Sequence, residues 1–304
     1  MQPFVNVLCP ASSLKRPHTT QKRTIASSKK VILQLNFATL NPMTPIPIFQ
    51  VDAFSNELFK GNPAAVCMLQ SWPSDSILQS IAAENNLAET AFVVRTENST
   101  EIRWFTPLVE VDLCGHATLA AAFVLFTEAE LDDKRISFVS PRSGVLSVTS
   151  MDGWLYLDFP TDTITEIQAN PNIIEGIGYA PLQTFRGKTD YIALLDNEEE
   201  VVKLNPNLSA IAKLSGRGLI VTAKGSKCDF VSRFFAPQAG INEDPVTGSA
   251  HTSLIPFWSH KLGKTTMDAQ QLSARGGKLR CTYNNERCLI GGQTKLYMKG
   301  EIYI

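Results

Sequence analysis

The stretch RWFTPLVEVDLCGHAT (residues 103–118) returns in altered form as RFFAPQAGINEDPVTGSA (residues 233–250). In both copies an arginine and aromatic residues form a strand-like run that a proline turn closes. A polar loop follows, then a glycine between polar residues: Cys114-Gly115-His116 in the first copy, Thr247-Gly248-Ser249 in the second. Each copy then enters a helix of small or apolar residues. A unit that occurs twice implies two similar lobes. If the lobes face each other, the two polar loops and the two helix starts line one cleft.

Working outward, Ile46 to Phe54 reads as a buried strand of aromatic and β-branched residues, Lys60 to Pro63 as a turn, and Ala64 to Leu69 as a second strand. Ser74 to Asn86 has helical spacing, with Ser74 as N-cap. Strands are expected at Glu89–Arg95, Ile102–Phe105, Ile136–Val139, Val145–Thr149 and Trp154–Phe159, with a wholly apolar helix over Leu119–Phe126. Pro160 to Pro171 reads as a linker. The order then repeats: a strand at Tyr191–Leu195, a helix at Asn207–Leu214, strands at Gly218–Thr222 and Phe230–Phe235, and a helix around Thr252–His260. Glycine-punctuated strands fill Gln271–Ile304. The class is α+β, with mixed or antiparallel sheets around a buried helix in each lobe. The expected division is a segment at 1–45, a first lobe at 46–160 and a second at 161–292, with a terminal strand near 293–304 that returns to the first.

Composition narrows the partners. Net charge is −1, which argues against binding to nucleic acid or anionic membranes through bulk charge. No apolar run approaches the roughly 18 residues of a membrane span. The six cysteines contain no C-x-x-C pair and read as free thiols in a reducing compartment. Before Asp52 there is no acidic residue but six basic ones, the composition of a disordered leader or an organellar transit segment. Met43 is an alternative start. The cytoplasm is the expected location, with a plastid or mitochondrion the alternative if the leader is an address.

Three residues carry candidate acid–base chemistry. Glu89 stands where a polar helix end meets an apolar strand, so partial desolvation would lift its pKa toward neutrality. His116 follows Gly115 at a helix start, where free N–H groups and the dipole favour an anion. Asp244 lies in a proline-stiffened loop just before Gly248 and Ser249, the latter placed at the next helix start. Cys114 is a thiol at a helix N-terminus, but its counterpart is Thr247, so a two-thiol acid–base pair is not available. His251 and His260 have no carboxylate partner at metal-ligand spacing, and no metal is expected. Arg103 and Arg233, matched in the two halves, are expected to hold structural ion pairs.

The runs VDAF-x5-KGNPAAV from Val51, NLAETAFV from Asn86, RWFTP-x5-LCGHATLAAA from Arg103 and RFFAP-x3-INEDPVTGSAHTSL from Arg233 closely resemble the PhzF-like isomerases of phenazine biosynthesis. The resemblance covers about Ile46 to the C-terminus. It implies the diaminopimelate-epimerase fold, a site between the lobes, a homodimer, and no metal or organic cofactor. It also implies that Glu89 moves the proton, that His116 and Asp244 assist, and that Gly115, Gly248 and Ser249 hold a substrate carboxylate. Some members have serine before the glutamate, whereas this chain has Ala88, which leaves the substrate open. The expected activity is a cofactor-independent isomerisation of a small carboxylate-bearing metabolite. A racemase or epimerase of the same fold is one alternative, and a non-catalytic binding or regulatory protein on this scaffold is another.

Overall fold

The computed structural model describes residues 45–128 and 134–304. Apart from Pro45, the expected leader at 1–45 lies outside the described residues, as does Cys9. The first half comprises β1 (Pro45–Ala53), β2 (Asn62–Leu69), α1 (Asp75–Asn85), β3 (Glu89–Arg95), β4 (Thr100–Phe105), β5 (Glu110–Val111), α2 (Gly115–Glu128), β6 (Arg135–Ser140), β7 (Gly144–Met151) and β8 (Trp154–Pro160). The second comprises β9 (Thr165–Ile167), α3 (Pro171–Ile177), β10 (Gln183–Arg186), β11 (Asp190–Leu194), α4 (Glu198–Lys203), α5 (Leu208–Ile211), β12 (Gly218–Lys224), β13 (Phe230–Ala236), β14 (Ile241–Asp244), α6 (His251–Leu262), β15 (Thr266–Gln271), β16 (Gly277–Asn284) and β17 (Arg287–Gly292). A last strand, β18 (Thr294–Tyr303), pairs antiparallel with β1.

The two halves meet at the antiparallel pair β8–β17. Outward from β8 the ladder runs β7, β6, β4, β3, β2, β1. Outward from β17 it runs β16, β15, β13, β12, β11, β10. The strand directions match step for step: β4–β6 and β13–β15 are parallel, as are β2–β3 and β11–β12, and the other pairs on these two paths are antiparallel. The repeat read from residues 103 and 233 therefore extends through both lobes of this α+β fold.

Each sheet curls around its own helix. In α2 the run Gly115–Ala122 is buried without a break, because Ala120, Ala121 and Ala122 are small enough for strands to approach on every side. Leu119 and Leu125 fill the remaining space, and burial of such a side chain contributes about 1.5–3 kcal/mol. In α6, Trp258 stacks on Phe230 of β13 with ring centroids 5.7 Å apart.

Several local expectations are corrected. The linker over Pro160–Pro171 contains β9, which pairs with β10. Its residues Thr165-Glu166-Ile167 are too few and too polar to show strand alternation. The helix expected over Asn207–Leu214 is regular only in α5, and α3, α4 and β10 were not expected. Ser74 occupies the cap position of α1, but its Oγ bonds Ser76 Oγ (2.9 Å) and no backbone N–H. Ser249 does not start α6. It lies in a turn in which His251 N donates to Gly248 O (3.0 Å), and Ala250 takes the cap position.

Candidate active site

Chain geometry brings residues from five segments together. At the end of α1, Asn86 adopts a left-handed conformation (φ 48°) and its N–H returns to Ala82 O, which turns the chain sharply so that Glu89 opens β3 beside Ala64. Asn62 opens β2. Just before it, Gly61 has φ +66°, and a Cβ there would lie 2.2 Å from Ala53 O, so only glycine allows the turn. Arg275 of the second half clamps this turn from outside, donating to Gly61 O (2.8 Å) and Asp52 Oδ1 (2.6 Å).

The polar loops arrive by a matched device. Arg103 grips Glu110 through Nε–Oε1 (2.7 Å) and Nη2–Oε2 (2.9 Å), while Arg233 grips Glu243 through the same atoms at 2.7 and 3.0 Å. These fork-shaped pairs fix the direction in which each loop leaves its strand. The start of α2 then meets the turn that precedes α6. A Cβ on Gly115 would lie 3.6 Å from Gly248 Cα, and a Cβ on Gly248 would lie 3.6 Å from Gly115 Cα.

Around this junction, Asn62 Nδ2 donates to Asp244 Oδ1 (2.8 Å) and Val246 O (2.9 Å), which fixes the amide with its nitrogen toward these acceptors. The same nitrogen lies 3.2 Å from His116 Nδ1, but its two N–H groups already point to Asp244 and Val246, so this contact is proximity rather than a third hydrogen bond. Cys114 Sγ lies 3.4 Å from that Nδ1. His116 Nε2 lies 3.3 Å from Glu89 Oε2 but outside hydrogen-bond geometry, and has no other partner. Burial pushes the imidazole pKa down to about 3, so the ring is neutral and this contact is not an ion pair.

The carboxyl groups move the opposite way. Glu89 is pushed up to about 8, first by burial and then by the charge of Asp244, against a hydrogen bond from Cys114 and the charge of Arg217. Burial raises Asp244 to about 6, opposed by hydrogen bonds from Thr247 and Asn62. Burial also lifts the Cys114 thiol well above its ordinary value, so it is a neutral donor rather than a thiolate, despite the helix start. Gln271 holds the second loop, donating to Asp244 O (2.7 Å) and accepting from Thr247 N (2.9 Å).

Glu89, His116, Asp244, Gly115 and Gly248 thus converge. Ser249 lies at the edge, where its Oγ accepts from Arg217 Nη1 (2.8 Å). Sequence reasoning missed Asn62, Arg217 and Gln271. Asn62 sits in K-G-N-P, which reads as an ordinary turn, and nothing local marks Arg217 or Gln271. His251, passed over as a ligand, is buried, with Nδ1 2.9 Å from Thr247 O. A cleft of about 820 Å³ lined by Ile164, Phe257 and Tyr283 contains none of the converging residues, so chemistry rather than volume marks the site.

The lobes are equivalent in backbone but not in chemistry. Thr90 pairs with Phe105 and Leu219 with Phe235, so the position matching Glu89 is Gly218. Trp104 pairs with Val111 and Phe234 with Asp244, so the position matching Asp244 is Val111. One lobe supplies one acid and the other lobe supplies the second, from a different strand. The result is a lopsided pair of buried carboxyl groups rather than a mirrored one.

The chain is similar to a described family and to solved structures. Residues 51–300 match the family model described as phenazine biosynthesis-like protein. An uncharacterized isomerase of Pseudomonas aeruginosa is 50% identical over 253 residues, covering 83% of this chain and 97% of its own. The mouse phenazine biosynthesis-like domain-containing protein 1 is 42% identical, covering 84% and 99%. A crystal structure of a phenazine biosynthesis protein of the PhzF family from Enterococcus faecalis superposes with TM-score 0.83 at 47% identity, covering 86% of this chain and all of its own. A probable proline racemase from Agrobacterium radiobacter shares the fold, with TM-score 0.56 at 10% identity.

Proposed function

We propose, from the premise that this chain belongs to the phenazine biosynthesis-like family, that it is an isomerase in which Glu89 carries a proton between two carbons of a small carboxylate-bearing metabolite. The observation that carries this reading is the Glu89 carboxyl group itself. It is held near Asp244, desolvated, and pushed up to about 8, where it can give or take a proton close to neutral pH. Asp244 on the opposite lobe and the neutral His116 orient the substrate and support the charge that develops while Glu89 holds the proton. Gly115 opens α2, whose first N–H groups have no intrahelical acceptor, and Gly248 faces it from the turn before α6, so the two glycines offer backbone donors for a substrate carboxylate. The lopsided acids favour migration of a proton from one carbon to another over inversion at one centre, which two bases on opposite faces perform. The homodimer implied by the family resemblance belongs to the same proposal, and sedimentation of the full chain tests it.

The test begins with thermal-shift screening against cyclic and amino-carboxylates, followed by NMR of each hit in D₂O. The expected result is deuterium entering a ligand carbon with wild-type protein and slowing by about 10²–10⁴ with Glu89→Gln, the usual share of general acid–base help. Undiminished exchange in that variant would remove Glu89 from the role. Tight binding with no exchange would favour a binding protein on this scaffold. Deuterium entering one stereocentre without double-bond migration would indicate an epimerase.

A further inference from the structure

Glu89, Cys114 and His116 each offer a ligand atom, and these atoms lie within 4.8 Å of one another. Their identity matters more than their proximity. A carboxylate, a thiolate and an imidazole form the mixed donor set that zinc takes, with bonds of about 2.0–2.3 Å and tetrahedral angles. Such bonds place a sulfur and a nitrogen ligand about 3.5 Å apart, and Cys114 Sγ lies 3.4 Å from His116 Nδ1. In the tautomer with its proton on Nε2, that nitrogen is free to take the ion. The other ring nitrogen, Nε2, is buried without a hydrogen-bond partner, and Glu89 Oε2 lies 3.3 Å from it, which puts the carboxyl group within the same cluster. The Glu89 side chain is 13% exposed, so the cluster can be reached from solvent.

We infer that the proton-transfer centre doubles as an inhibitory site for a thiophilic divalent cation, zinc above all, held by Cys114 Sγ, His116 Nδ1 and a Glu89 carboxyl oxygen. Two protons leave as the ion enters, one from the thiol and one from the carboxyl group. One thiolate, one carboxylate and a neutral imidazole balance the 2+ charge, so the buried complex is neutral overall and avoids the large penalty of an unpaired buried charge. A metal-bound Glu89 shares its charge with the ion and is too weak a base to take a carbon-bound proton. Blocking of turnover rests on the proposed role of Glu89, whereas the binding does not. Affinity is expected to rise with pH, because the ion competes with both protons.

The test uses full-length protein under reducing conditions, titrated with Co²⁺ as a spectroscopic stand-in and then with Zn²⁺. The expected result is a near-ultraviolet thiolate-to-cobalt band that saturates at one equivalent and is reversed by Zn²⁺. The band is expected to vanish in Cys114→Ser and to need more Co²⁺ in Glu89→Gln. It is expected to persist in Cys228→Ser, which removes the half-exposed thiol. If Cys114→Ser fails to fold, His116→Asn takes its place, with weaker binding expected. Absence of a band in wild type, or an unchanged band in Cys114→Ser or in a folded His116→Asn, would overturn the inference. Because no substrate is involved, failure here is distinguishable from failure of the isomerase reading.

Discussion

Glu89 and Asp244 both gain protons more readily in the folded chain than in the open one, and this has a measurable consequence for stability. A carboxyl whose folded pKa is raised adds stability that is fully present below its unfolded pKa and is lost as pH rises through the folded value. For Glu89 that window runs from 4.5 to about 8, and for Asp244 from 3.8 to about 6. The wild-type melting temperature is therefore expected to fall across this range, and Glu89→Gln is expected to flatten its upper part. An identical pH profile in the two proteins would contradict the raised pKa. If Glu89 acts as base, kcat/KM for an identified substrate should also rise with pH toward about 8. Glu89, His116 and Asp244 were visible in the sequence because each is a polar residue next to a glycine or an apolar strand. Asn62 was not, because its place depends on acceptors from residues 244 and 246 that only the fold brings near.

At the scale of elements, the start of α2 and the turn before α6 set the shape of the centre. One added methyl at Gly115 or at Gly248 meets its neighbours at ordinary contact distances, 3.5 Å or more. Two methyls would meet each other across the same gap. Gly115→Ala and Gly248→Ala are each expected to fold, and the double variant to lose about 0.5–3 kcal/mol beyond their sum in denaturant unfolding. Simple additivity would show that the two glycines are not in contact. The long apolar elements, β1, β3 and α2, announced themselves through composition. The short ones did not. Helices α3, α4 and α5 span too few residues to establish a period, and asparagine caps at Asn170, Asn197 and Asn207, each accepting a backbone N–H, help to define them instead.

Across the whole molecule, Phe54 ties the lobes together. It is fully buried with φ 64°, a conformation unusual for a bulky residue. Its ring packs so closely on Gly292 that a Cβ there would lie 2.4 Å from it, and it touches the space beside Gly248, while Lys278 N donates to its carbonyl (3.0 Å). Phe54→Ala is expected to destabilise the fold by about 3–5 kcal/mol and to weaken any ligand held between the two glycines, as calorimetry would show. The repeat at residues 103 and 233 revealed the two-lobed plan before any coordinates. What it could not reveal is that the lobes diverge in chemistry, because the match of Glu89 to Gly218 and of Asp244 to Val111 follows only from strand register. That divergence leaves one glutamate of raised pKa at the junction of the lobes. The direct measurement is a ¹³C NMR titration of glutamate side-chain carboxyls in the full chain, with Glu89→Gln for assignment. A single glutamate titrating near 8 that disappears in the variant is predicted. Glu89 titrating near its ordinary value of 4.5 would contradict the account.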